Sequence, residues 1–161
     1  SSAASDVYKR QPEWRSRVAE NEESRLAFAQ EVRRTTPFFP VVGGTAARDV
    51  EWDGVRFRRG DWVILDLFAT NRDPQLWPNP CTFAPTRFMS GEPHHNALVP
   101  QGGGFYEDGH RCPGEPATVD LLASAVGRLA TAEYTVPGQD FRVDLRRFPA
   151  QPEDGYVLIP V

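Results

Sequence analysis

Cys112 lies in the run Gly-His-Arg-Cys-Pro-Gly-Glu, between a glycine-rich loop and a segment that reads as a helix. We predict a helix over residues 116–132, with Pro113 in its first turn, where the N–H that proline lacks would have no partner. The positive end of the helix dipole, together with His110 and Arg111, would stabilise a thiolate at Cys112. Such a thiolate is a metal ligand or a nucleophile, whereas a lone loop cysteine is more often an inert structural thiol.

The composition favours one compact domain, because 40% of the 161 residues are hydrophobic and 25% are charged. A formal net charge of −4 argues against a nucleic-acid partner. No apolar run of about 18 residues predicts a membrane span, and no secretory signal peptide is visible. We therefore expect a cytoplasmic location, in which Cys81 and Cys112 stay reduced and unpaired.

Short elements are expected throughout, because 15 prolines and 13 glycines predict many turns. Asn21 separates the first two predicted helices, and Pro37 ends the second. Asp53-Gly54 between β-rich runs predicts a hairpin. The predicted fold class is α+β, mainly helical with small antiparallel sheets. The predicted helices are 12–19, 22–35, 67–71 and 116–132, with Leu26, Phe28, Ala29 and Val32 on the apolar face of the second; the predicted strands are 50–52, 55–57, 62–65, 134–136, 141–145 and 156–159; residues 37–44 are extended, and residues 73–100 are irregular.

The amino-terminal end differs in character from the rest of the chain. Residues 1–11 carry no apolar periodicity and look like a non-native scar, so we exclude them from the fold. The domain is then expected to be residues 12–161, as part of a longer protein.

Three separated motifs occur in a fixed order. An E-x-x-R motif occupies residues 31–34, an F-x-P-x-R-F motif occupies residues 83–88, and a C-x-G motif occupies residues 112–114. Together they resemble the K helix, the segment before the haem loop and the haem-ligand loop of the cytochrome P450 superfamily. The resemblance covers residues 12–161 and implies the C-terminal, haem-binding part of that fold, with an irregular haem-ligand loop.

A finer resemblance points to the bacterial fatty-acid peroxygenase branch. The loop carries Gly-Gly-Gly at residues 102–104 and Gly-His-Arg at residues 109–111. Phe105 stands where the ordinary family loop has phenylalanine, but Asp108 stands where that loop has glycine. This branch implies that hydrogen peroxide is the co-substrate and that a fatty acid is hydroxylated or decarboxylated. A redox partner would then not be required.

The resemblance also assigns cofactor-binding roles. It implies that Cys112 is the axial thiolate ligand of the iron of haem b, a ligation that favours O–O cleavage. His110 matches a position that contacts a haem propionate. Gly104 and Gly114 would let the loop backbone approach the cofactor and the sulfur. No further catalytic residue is implied within this chain.

Structural and substrate-binding roles follow from the same resemblance. Glu31 and Arg34 share one helix face and, with Arg87, would form a buried ion triad. Removal of one partner would leave a buried unpaired charge at a cost of roughly 3–5 kcal/mol. The residues expected to line the haem and acyl pocket are Phe38, Phe39, Val41 and Val42.

Other interpretations stay open at this point. A conventional monooxygenase fed electrons by a ferredoxin or flavoprotein is the alternative enzyme, and a piece that is inactive and binds haem poorly on its own is the non-catalytic one. The Gly-Gly-Gly run lacks the Lys-Ser/Thr of a phosphate loop. His94 and His95 have no matching ligand pair, so we interpret them as a solvated turn.

Overall fold

The structure, a computed structural model, describes residues 12–91, 93, 96–140 and 142–161. The interpretation of residues 1–11 as a scar therefore falls outside the described residues, as do His94, His95 and Phe141.

The helices agree with their predicted bounds to within one residue at each end. Asn21 begins the second helix as its cap, because its side-chain Oδ1 accepts a hydrogen bond of 3.0 Å from the backbone N–H of Ser24. The helices are α1 (Pro12–Glu20), α2 (Glu22–Thr35), α3 (Leu67–Thr70) and α4 (Glu115–Thr131), and a 3-10 helix spans Pro85–Phe88.

The start of α4 differs from the prediction in one respect. Gly114 is the N-cap residue and the helix begins at Glu115, so Pro113 precedes the helix. Pro116 is the proline of the first turn, where its missing N–H leaves no hydrogen bond unmade. The placement of Pro113 inside the first turn was wrong.

The predicted small antiparallel sheets are confirmed, and one hairpin is inserted in another. Strand β1 (Val41–Thr45) pairs with β4 (Trp62–Asp66), and between them β2 (Val50–Trp52) pairs with β3 (Val55–Phe57). Asp53 and Gly54 both have positive φ, 50° and 74°, as a type I′ hairpin turn requires. A third sheet joins β5 (Tyr134–Thr135) to β6 (Ile159–Pro160).

The predicted strands 141–145 and 156–159 were wrong in the described part of the chain. There, Val143 makes only an isolated bridge to Pro152, and β6 begins at Ile159. Local side chains compete for the backbone. Asp144 Oδ1 accepts from the N–H of Arg146 at 3.0 Å. The side chain of Gln139 accepts a hydrogen bond of 2.9 Å from the Val157 N–H and donates one of 3.0 Å to the Val157 carbonyl. A strand partner would otherwise bind these two backbone groups.

The main core lies between α1, α2 and α4. Phe28 packs edge-on against Phe83, with ring centroids 5.1 Å apart. Leu26, which we placed on the apolar face of α2, is instead 38% exposed. The core side chains are Trp14, Val18, Phe28, Phe83, Val126 and Ala130. This packing fixes α2 against α4, the two helices that flank the Cys112 loop.

The first four strands bury little. Trp62 is 75% exposed and Ile64 is 63% exposed, although both are large and apolar. In the part of the chain that the structure describes, no helix combines the length and the apolar character needed to cross a membrane.

Candidate functional site

Cys112 is held by its own backbone at the end of the glycine-rich loop. Its N–H donates to the carbonyl of Gln101 at 3.0 Å, and its carbonyl accepts from the N–H of Glu115 at 3.1 Å. The N–H of His110 donates to the carbonyl of Gly103 at 3.0 Å. The thiol of Cys112 is free and half-buried, whereas Cys81 is free and exposed. The loop therefore closes on itself and presents one sheltered sulfur.

Two glycines shape this site, one where the loop closes and one beside the sulfur. A Cβ at Gly102 would lie 1.9 Å from the carbonyl oxygen of His110, and the φ of Gly102 is +96°. Only glycine fits there. A Cβ at Gly114 would lie 3.6 Å from the Sγ of Cys112, in van der Waals contact. With glycine at this position, no side chain covers that side of the sulfur.

An apolar hollow of about 380 Å³ adjoins the loop. Gln101 links the two, because its carbonyl binds the Cys112 N–H while its side chain lines the hollow and donates to Thr118 Oγ1 at 3.2 Å. The wall of the hollow includes Val32, Thr36, Phe38, Pro100, Gln101 and Leu122.

The structure brings one of the four predicted pocket residues, Phe38, to the wall of this hollow. Phe39 packs edge-on against Phe38 at 4.8 Å between ring centroids. Val41 and Val42 lie in β1, opposite Asp66 and Leu65. Phe38, Phe39 and Val42 are all exposed.

The predicted cofactor residues lie on the same loop. The side chain of His110 is exposed. Gly104 has a φ of +84°, and its N–H donates to Asn96 Oδ1 at 3.4 Å. Across the described residues, no three His, Cys, Asp or Glu side chains converge to hold a bare metal ion.

The donor set fits a haem held by one thiolate. Cys112 offers a single free, half-buried sulfur that Gly114 leaves uncovered, and an apolar hollow lies beside its loop. Cys112 would be the ligand, and the bound group would supply oxidising chemistry, which a thiolate ligand favours.

Glu31, Arg34 and Arg87 lie in contact. Arg34 is bidentate on Glu31, with Nε–Oε2 at 2.7 Å and Nη2–Oε1 at 2.8 Å, and Arg87 Nε lies 3.3 Å from Oε1. The backbone N–H of Ala84 also donates to Oε1, at 2.8 Å. The side chains of Glu31 and Arg34 are 0% exposed. We call these three residues the first network.

The two arginines of the first network bind backbone carbonyls of the irregular segment and of Asn71, which follows α3. Arg34 Nη1 donates to the carbonyls of Asn71 and Pro80, each at 2.9 Å. Arg87 donates to the carbonyls of Pro78 at 3.0 Å and Thr82 at 3.2 Å. A segment without long helices or strands is therefore tied to α2 through charged donors.

A second group of charges was missed from the sequence. Glu115 is 5% exposed and forms an ion pair with Arg33 of α2. Arg111 Nε lies 3.5 Å from Glu115 Oε2, and Tyr106 Oη lies 3.4 Å from the same oxygen. We call Arg33, Glu115 and Arg111 the second network. Its members belong to the motifs already noted. Arg111 and Glu115 are four positions apart, but Arg33 is 82 positions from Glu115, and no spacing indicates that they meet.

Asn71 was also missed, although it is 3% exposed. Its Oδ1 accepts from the N–H of Val99 at 2.8 Å, while its own carbonyl accepts from Arg34. It thus links the first network to the start of the glycine-rich loop. Beside it, Arg72 donates to the carbonyl of Thr35 at 2.8 Å, and burial lowers the pKa of its guanidinium.

Several known proteins are similar to this chain over part of their own length. Cytochrome P450 93B16 of Glycine max is 32% identical over 110 residues, which are 64% of this chain and 20% of that protein. Drimenol monooxygenase of Persicaria hydropiper is 32% identical over 123 residues, which are 70% of this chain and 23% of that protein.

Solved structures are similar over nearly the whole chain. Cytochrome P450SP alpha in complex with (R)-ibuprofen is 36% identical, with a TM-score of 0.86, and the match covers 98% of this chain and 39% of that one. Cytochrome P450EX alpha with myristic acid is 35% identical with a TM-score of 0.83, covering 98% and 39%. A variant of cytochrome P450 OleT in complex with arachidonic acid is 35% identical with a TM-score of 0.85, covering 98% and 38%.

The family profile described as cytochrome P450 matches residues 27–118, which is more than half of the chain and contains all three motifs. The α+β fold that we expected is the corresponding part of the fold of these solved structures. The chain belongs to the cytochrome P450 family.

Proposed function

We propose that the protein carrying this sequence is a haem-thiolate oxidoreductase that oxidises fatty acids with hydrogen peroxide. One observation carries the proposal: Cys112 presents a free, half-buried sulfur, uncovered on the side of Gly114. Because the chain spans 39% of the length of the first solved structure, the activity is proposed for a polypeptide longer than these 161 residues.

The substrate class is supported by the similar structures. Their ligands are myristic acid, arachidonic acid and ibuprofen, and all three are carboxylic acids with an apolar body. The hollow beside the Cys112 loop is apolar, and Phe38 lines it. An acyl chain would bury apolar surface there, with further contacts from Phe39, Val41 and Val42.

The residues of this chain would prepare the site. Cys112 would supply the thiolate, Gly104 and Gly114 would leave room at the loop, and the exposed His110 would hold a haem propionate. Glu31, Arg34 and Arg87 hold the irregular segment that leads into the loop. In hydroxylation, one oxygen of the peroxide enters a C–H bond of the fatty acid and the other leaves as water. In decarboxylation, the acid and one peroxide give a terminal alkene, carbon dioxide and two molecules of water.

The second candidate is a monooxygenase, the class that the name of the Persicaria relative gives. Such an enzyme would receive its electrons from a redox partner. A longer polypeptide with this sequence would be incubated with myristic acid, either with hydrogen peroxide alone or with a ferredoxin, its reductase and NADPH. We expect hydroxylated or decarboxylated product, measured by mass spectrometry, with peroxide alone. Product that forms only with the electron donors would overturn the proposal in favour of the monooxygenase.

Variants of the two cysteines give a matched control. Cys112→Ser should abolish product and thiolate-type haem absorption, because an alcohol does not replace the thiolate ligand. Cys81→Ser should leave both unchanged, because Cys81 is exposed. Full activity of Cys112→Ser would remove the haem-thiolate assignment altogether.

The 161-residue chain alone is proposed to bind haem weakly and to be inactive. Much of the apolar surface around the hollow and the first strands is exposed, including Phe38 at 51% and Trp62 at 75%. Absorption titration of the chain with haem would measure this, and tight binding with normal peroxide turnover would contradict it.

A further inference from the structure

We propose that Glu115 is a positioning residue for Cys112: its buried carboxylate, set between Arg33 and Arg111, fixes the loop that carries the sulfur. The haem readouts below rest on the proposed function, but the proposal about the loop itself does not.

The contacts tie the loop to α2 at two points. Arg33 Nη2 forms the ion pair with Glu115 and also lies 3.1 Å from Gln101 Oε1. The backbone carbonyl of Gln101 in turn binds the N–H of Cys112 at 3.0 Å. The guanidinium of Arg33 therefore binds the side chains of both Gln101 and Glu115. The backbones of these two residues hold Cys112 on either side, Gln101 at its N–H and Glu115 at its carbonyl.

Arg111 closes the arrangement from the other side. It precedes Cys112 directly, its Nε lies 3.5 Å from Glu115 Oε2, and its Nη2 donates to the carbonyl of Leu98 at 3.0 Å. Tyr106, from the middle of the loop, reaches the same carboxylate. Glu115 is thus the point at which α2, α4 and two parts of the loop meet.

Stability alone does not account for burying these charges. Replacing a buried ion network with apolar side chains of similar volume is often neutral or stabilising, because removal of charges from water is costly. The network instead fixes the relative positions of the loop and the two helices, because a carboxylate with two guanidiniums has few low-energy geometries. A cavity of about 410 Å³ adjoins Arg33, Tyr106, Arg111 and Glu115. We therefore expect the loop to have room to move while the main core stays packed.

Hydrogen exchange of the 161-residue chain in a Cys81→Ser background tests the proposal without haem. Glu115→Gln should accelerate exchange of the Cys112 and Glu115 amides by roughly a hundredfold. Amides of α1 and of the Phe28 region of α2 should change by less than about threefold. Alkylation of Cys112 by iodoacetamide at one fixed pH should also accelerate.

The matched control is Asp140→Asn, which removes a half-buried carboxylate that binds Arg142, outside the loop and the second network. It should leave loop exchange unchanged. Equal acceleration in loop and core of Glu115→Gln would mean a merely structural role and would overturn the proposal, as would no acceleration at all. Should Glu115→Gln fail to fold, Arg111→Gln applies the same criteria, because it removes the partner whose side chain is 15% exposed.

The haem readout uses the longer polypeptide. Glu115→Gln should retain haem but lose the carbon-monoxide spectrum of thiolate ligation in a larger fraction of molecules than the parent. An unaltered fraction, despite a loosened loop, would overturn the link between loop position and ligation. A parent that binds no haem would refute the proposed function, while the exchange result would still decide the role of Glu115.

Discussion

The two networks place one carboxylate between two guanidiniums, yet they sit in different surroundings. In the first, the carboxylate is Glu31 on α2, and its side chain is 0% exposed. In the second, the carboxylate is Glu115 at the start of α4, and a cavity adjoins it. The arginines that α2 contributes, Arg33 and Arg34, are consecutive and so point about 100° apart around the helix.

The difference separates two uses of the same ionic arrangement. In the first network, the N–H groups of Arg34 and Arg87 that do not bind Glu31 donate to backbone carbonyls of Asn71 and the irregular segment. These hydrogen bonds take the place of those that a helix or strand would make. The second binds the side chain of Gln101 and the carbonyl of Leu98, next to the sulfur-bearing loop. One therefore supports the global fold, and the other supports one loop.

The largest effect is expected from Glu31→Gln. It leaves Arg34 buried without a counter-charge, so the free energy of unfolding should fall by about 3–5 kcal/mol. Urea unfolding followed by tryptophan fluorescence would measure this. Glu23→Gln, an exposed change on the same helix, should cost no more than about 1 kcal/mol, through the helix dipole. Similar losses for both variants would contradict the assigned role of the first network.

Gly102→Ala should come next and should affect the loop of the second network. The added Cβ would meet the His110 carbonyl at 1.9 Å at a φ of +96°, so we expect a loss of about 2–4 kcal/mol from overpacking and strain. Gly44→Ala is the control, because nothing lies within 4 Å of its Cβ. Thermal unfolding of both variants would check the difference, and a neutral Gly102→Ala would refute the loop closure.

Asn71→Ala should have a smaller effect, although it cuts the link between the two regions. The buried N–H of Val99 would lose its acceptor, at a cost of about 1–3 kcal/mol. Gln75→Ala, an exposed change nearby, should stay within about 0.5 kcal/mol. Urea midpoints would show the gap, and equal midpoints would mean that water replaces the Asn71 amide.

The smallest effect is expected for the ion pair of Asp140 with the exposed Arg142. Hydrogen bonds from the side chain and then the backbone N–H of Arg142 lower the pKa of Asp140 from 3.8 to about 2. The stabilisation is therefore present above the unfolded pKa and is lost as pH falls through about 2. The difference in urea midpoint between the parent chain and Asp140→Asn should shrink over that range. A difference that grows on acidification would contradict this sign.

Local patterns predicted much of the fold. The break at Asn21, the apolar face of α2 apart from Leu26 and the Asp53-Gly54 turn depend on residues within or next to each element, so they could be predicted. The capping hydrogen bond of Asn21 became visible only in the structure. The last two predicted strands, 141–145 and 156–159, do not form as predicted. The side chains of Gln139 and Asp144 bind backbone groups that strand pairing would have used, and the sequence pattern does not show this.

The candidate site was predictable only in part, for a related reason. The i,i+3 spacing of Glu31 and Arg34 predicts their contact on a helix, and Arg87 came from the family motif. The contact of Arg33 with Glu115 joins residues 82 positions apart and depends on how α2 packs against α4. No local spacing encodes that distance.

The adjacency of Arg33 and Arg34 also limits how the length of α2 can vary. One residue added between the Asn21 cap and Glu31 would turn everything after it by about 100° relative to the first half of the helix. If the core face of α2 kept its place, Arg33 would face the irregular segment and Arg34 would miss Asn71 and Pro80. Deletion of one residue would produce the opposite rotation. The helix can therefore accept many substitutions on its exposed side, but not a change of register.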